Sequence, residues 1–191
     1  MGFFTRTRRH DRKSCCGVAG CHALLILAFA VTACRQATES ARPPEWPGEW
    51  LEFEGSWNAV GSRRTISLGP ERRGSILDLS GTMLLAGPKR PGVGFRSEVI
   101  ALVDSATGLQ GRSIWTDERG DHMFSEVQGE GTAARNRIRG KFLGGTGRYA
   151  GATGSYEFSW EWVIQAEDGA IQGRAIDLKG RVRAGPAGVP K

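Results

Sequence analysis

Few residues in this chain have the type and spacing for chemistry. In the segment His122 to Glu130, Glu126 shares an alternating face with Phe124. A carboxylate buried beside an aromatic ring has its pKa raised and can act as a general acid or base, which makes Glu126 the candidate catalytic residue. His122, Gln128 and Glu130 fall on the same face, however, and a wet strand face fits the pattern equally well. Arg96 and Arg112 could pair with such an acid or bind an anion, and a solvated strand face is the plainer reading of each. Cys15, Cys16, Cys21 and Cys34 all lie near the start of the chain, and His122 is the sole histidine after His22. Ser-His-Asp, Cys-His, disulfide and cysteine-metal arrangements are therefore unavailable to the body of the protein, and neither a metal nor a cofactor is expected.

A stronger pattern is aromatic. From Ser155 to Gln165 the residues Tyr156, Phe158, Trp160, Trp162 and Ile164 alternate onto one face, with Ser155, Glu157, Ser159 and Glu161 opposite. Such a face is buried. Its rings either fill a core or a subunit interface, or they line a cavity together with Trp57, Trp115 and Phe124.

The elements that position these residues are strands. Period-two alternation runs through Trp50–Val60, Ser75–Leu85, Phe95–Val103, Leu109–Glu118, His122–Glu130, Arg135–Leu143, Ser155–Gln165 and Ala170–Val182, with no amphipathic helix between them. Ile100 and Leu102 make the third segment apolar on both faces, which predicts cover on both. Glu118-Arg119-Gly120-Asp121 and Glu167-Asp168-Gly169-Ala170 read as hairpin connections. About eight strands joined by hairpins predict an all-β fold, a single antiparallel up-and-down barrel with room for one small ligand, and a sandwich is the alternative.

The beginning of the chain is different. Arg6, Arg8, Arg9, Arg12 and Lys13 stand against Asp11 before an apolar run, densest from Ala23 to Val31, that is short for a bilayer span. The stretch ends Val31-Thr32-Ala33-Cys34, which resembles the lipobox of bacterial lipoproteins. That resemblance implies a signal peptide over 1–33, lipidation of Cys34 and attachment to membrane lipid. Arg35 after the cysteine implies sorting to the outer membrane if the host is Gram-negative. Secretion after ordinary cleavage, and an uncut anchor, share the same signature of export. Residues 34–48, with Pro43, Pro44 and Pro47, read as a tether, 49–185 as the barrel domain and 186–191 as a disordered tail. Five of the 26 basic residues and one of the 20 acidic ones lie in the leader, so the remainder carries 21 against 19 and gives no case for nucleic acid.

The segment Gly144-Gly145-Thr146-Gly147-Arg148-Tyr149-Ala150-Gly151-Ala152-Thr153-Gly154 is a glycine-rich connection in which Tyr149 can plug the end of a core. A phosphate loop needs a helix after it, and a strand follows, so nucleotide binding is excluded. This segment resembles the glycine-rich turn of the allene oxide cyclase and dirigent superfamily, and Gly120 to Gly131 is similar to the strand preceding it there. The resemblance implies a calycin-like antiparallel barrel with a central pocket, often trimeric. Two functions are carried forward: an envelope lipoprotein whose barrel binds a small apolar ligand or an envelope partner without catalysis, and an isomerase or cyclase acting on a lipid-like substrate in the barrel.

Overall fold

A computed structural model describes residues 48–130 and 135–185 of the 191. The leader, Cys34, the tether before Gly48 and the 186–191 tail lie outside the described residues. The strands are β1 (Leu51–Ser67), β2 (Arg73–Ala86), β3 (Gly94–Asp104), β4 (Gly108–Thr116), β5 (His122–Gly129), β6 (Arg135–Gly145), β7 (Thr153–Gln165) and β8 (Ala170–Arg183). Each pairs antiparallel with the next, and β8 pairs with β1 to close a barrel. Closure gives every strand two neighbours, which removes the exposed edges that an open sheet presents.

The alternation that predicts the strands also fills the interior. Leu51, Phe53, Trp57 and Ala59 of β1 and Leu77, Leu79, Met83 and Leu85 of β2 are all buried. Two departures are instructive. β1 continues past Val60, where the alternation ends, through Gly61-Ser62-Arg63-Arg64-Thr65-Ile66-Ser67; pairing with β2 (Arg63↔Leu77) and with β8 (Ser62↔Ala170) holds the segment extended. Strand pairing here outweighs the weak local pattern. On β3, Ile100 and Leu102 remain 66% and 58% exposed, so among the described residues nothing gives the outer face the cover that the two-sided apolar pattern predicted.

The two ends of the barrel are built differently. At one end lie the connection between β2 and β3, the β4–β5 turn and the glycine-rich β6–β7 connection, together with the start of β1 and the end of β8. Gly147-Arg148-Tyr149 forms a single 3₁₀ turn there, with Gly147 at φ +50°, and a side chain at Gly147 would run into the Asp121 carboxylate. Thr146 Oγ1 accepts the His122 N–H at 2.9 Å, tying this turn to β5. Tyr149 is fully buried against Phe95, 5.9 Å between ring centroids. Arg148 donates from Nε to the Tyr149 hydroxyl at 2.9 Å and sets Nη2 2.7 Å from Asp117 Oδ2. The Tyr149 hydroxyl in turn donates to the Pro91 carbonyl at 3.3 Å. This end is plugged.

Asp117 serves two structures at once. Its Oδ1 accepts the backbone N–H of Arg119 at 2.7 Å and of Asp121 at 3.0 Å, shaping the β4–β5 turn, while Oδ2 meets Arg148. Asp117→Ala should therefore lower unfolding stability by about 2–4 kcal/mol, because it strips the turn and leaves a buried guanidinium short of its partner. Asp117→Asn, which keeps an oxygen for the turn, should cost clearly less. Urea unfolding midpoints of the two variants check this order.

Candidate ligand cavity

The other half of the barrel is hollow. Between the plug and the end formed by the β1–β2, β3–β4 and β7–β8 connections lies a cavity of about 310 Å³. That corresponds to about ten water molecules' share of liquid volume and falls at the small end of ordinary ligand sites. The hollow follows from side-chain size. Toward the plug the interior holds Phe53, Trp115 and Phe142, with Trp115 packed edge-on to Phe142 at 5.2 Å and to Phe53 at 6.0 Å. Around the cavity the inward positions of β2 to β5 are smaller, among them Leu79, Val99, Ala101, Leu109 and Val127.

Trp57, Trp115, Tyr156, Phe158, Trp160 and Trp162 all line this cavity. The rings on β7 form a column: Phe158 and Trp160 are 6.4 Å apart, and Trp160 and Trp162 are 5.4 Å apart. Trp57 leans on Trp160 at 5.1 Å. Ile164, expected on the same face, is exposed. Trp162 pairs with Gly173 and Ile164 with Gln172, so Val163 is an extra residue that turns the strand over at that point.

Phe124 and Glu126 are corrected. Inward on β5 are Met123, Ser125 and Val127; Phe124 lies on the outer face beside His122, 6.0 Å between rings. Glu126 is also on the outer face, 3.8 Å from Arg112 Nη1. The cause is register. A turn over 118–121 would set Trp115 opposite Phe124, whereas Asp117 belongs to the turn and Trp115 stands opposite Met123. One residue of slip exchanges the faces of the whole strand. The Asp-x-x-Gly-Asp spacing of 117–121, with an aspartate able to cap the turn, was the signal for this register. Arg96 pairs with Glu98 at 2.8 Å on the outer surface.

The cavity's polar groups are few. On its floor, Tyr156 Oη and Ser125 Oγ share a hydrogen bond of 2.8 Å between β7 and β5. Gly140 on β6 lies under the Tyr156 ring and leaves no room for a side chain. At the mouth, Arg63 donates from Nη1 to Gln165 Oε1 at 2.7 Å. Among the described residues no set of three or more His, Cys, Asp or Glu is grouped as a metal site would be. No protein-family model, curated protein or solved structure matches this chain.

Burial pushes the Tyr156 hydroxyl above its ordinary pKa, and Tyr149 likewise. These are the two tyrosines of the chain. With the folded-state values raised, the stability tied to them is complete below the unfolded value of about 10 and falls as pH rises beyond it. An alkaline titration followed by tyrosinate absorbance should show no ordinary tyrosine step in the folded protein. Absorbance should rise only together with loss of the circular dichroism of the barrel.

Proposed function

We propose that this protein is an exported, lipid-anchored envelope protein whose barrel binds a small apolar ligand without catalysis. The observation that carries the binding half is the aromatic-walled cavity, closed at one end by the Arg148–Tyr149 plug and lined mainly by apolar side chains. A pocket with this lining gains apolar burial from a ligand at about 25 cal/mol per Å². The isomerase or cyclase reading needs Glu126 or another polar residue facing the cavity. With that carboxylate on the outer face, the described lining holds no carboxylate and no imidazole, and binding is the reading the site favours.

The export half rests on the basic start, the apolar run and Val31-Thr32-Ala33-Cys34.

An environment-sensitive apolar fluorophore should bind the purified protein in a one-to-one complex and take excitation energy from Trp57, Trp160 and Trp162. Ala101→Phe and Leu79→Phe, which project into the cavity, should each weaken that binding about tenfold with the circular dichroism spectrum unchanged. Equal affinity in both folded variants would place the fluorophore elsewhere and count against a cavity ligand. For the anchor, Cys34→Ser should move the protein from the membrane fraction or block its processing; unchanged membrane association would remove the lipid from this account.

A further inference from the structure

We propose that the cavity takes a compact amphiphilic anion, with its apolar body against the β7 rings and a single carboxylate held at the mouth by Arg63. The proposal rests on the ligand-binding reading above and adds the charged end of the ligand.

Its basis is the distribution of charge in the lining. The walls are mainly apolar side chains and rings, and Arg63 is the sole charged residue of the lining among those described. Arg63 belongs to the inner face of β1. It pairs with Leu77, which is buried and lines the cavity, whereas Arg64 pairs with the exposed Ile76 on the outer face. Arg63 is itself half-buried. Its Nη1 donates to Gln165 Oε1 at 2.7 Å, and Gln165 also lines the cavity. This contact joins β1 to β7 past the start of β8, which lies between them, and so crosses the rim of the mouth.

The contact holds the guanidinium in place without neutralising it. Gln165 is uncharged, and Arg63 is in no ion pair among the described residues. Acids do lie at this end. Asp104 is taken by Arg72 at 2.6 Å, Asp168 Oδ1 accepts the N–H of Ala170 at 2.9 Å, and neither Glu71 nor Glu167 pairs with Arg63. A guanidinium presents several N–H donors in a planar fork that matches a carboxylate, and Gln165 occupies one of its nitrogens. An unpaired cation at the rim of an apolar cavity suits a ligand divided in the same way. A carboxylate placed deeper would lose its hydration with no cation to replace it, and an ammonium at the rim would meet Arg63 with no lining carboxylate to offset it. At about 310 Å³ the cavity is at the small end of ligand sites, which makes the body compact.

2-Naphthylacetate, 2-naphthylacetamide and 2-naphthylethylammonium share a body and differ in the charge of the end group. Calorimetric titration of the purified protein should find the carboxylate about tenfold tighter than the amide, the scale of a hydrogen-bonded charge pair at a half-exposed site. That ratio should shrink as salt is added. Arg63→Gln should bring it to about one while amide affinity stays within a few-fold, and Arg64→Gln, on the outer face, should leave it unchanged. Equal binding of carboxylate and amide by the unaltered protein, or tighter binding of the ammonium, would overturn the anionic end and leave the ligand-binding reading standing. A preference that survives Arg63→Gln would overturn the assignment to Arg63. Binding of none of these probes would overturn both readings.

Discussion

Closure of the sheet is the constraint on which the rest of this structure depends. Once β8 pairs with β1, the inward residues face a space whose diameter is set by strand number and tilt rather than by the side chains themselves. The interior must then be filled or left hollow according to residue size at each rung. Large rings at Phe53, Trp115 and Phe142 fill one half. Smaller residues on β2 to β5 opposite the β7 tryptophans leave the other half hollow.

The difference between the two ends follows from what the connections carry. At one, the chain spends a buried arginine, its aspartate partner and a buried tyrosine to seal the barrel. A buried ion pair of this kind adds little net stability by itself, since desolvation offsets most of the attraction. Its value is positional: Asp117 shapes the β4–β5 turn and Arg148 the β6–β7 connection, so their contact locks two loops across the opening. The opposite mouth has an exposed-side hydrogen bond, Arg63 to Gln165, in place of such a lock. A barrel sealed at one end and hollow at the other is a receptacle, and its wall of tryptophans makes it one for apolar matter.

Much of this was legible in the order of residues. Seven of the eight strands begin and end close to where alternation stops, because inward positions bury apolar side chains and outward ones do not. That a hairpin joins β7 to β8 and that Tyr149 plugs the core were also legible, since Gly169 and the glycines around Tyr149 supply backbone conformations that other residues resist, but Ala166 rather than Glu167 stands opposite Ala170, one residue from the expected turn. Six of the seven ring residues offered as a cavity lining do line it, for the same reason of strand phase.

What alternation cannot supply is the phase of a segment that is polar or mixed on both faces. The stretch from His122 to Glu130 places Phe124 and Glu126 on one face and Met123, Ser125 and Val127 on the other, with little to choose between them locally. Pairing of Trp115 with Met123 decides it, and with it the removal of Glu126 from the interior. The extension of β1 through two arginines and the reversal at Val163 are decided in the same way, by hydrogen bonds to strands distant in the chain. The sequence alone determined that the chain would form antiparallel strands with an aromatic inner face, because burial of alternate residues is a local property. Tertiary structure alone decided the closure, the register and the hollow, because each depends on which strand lies opposite which and on how much volume the facing side chains leave.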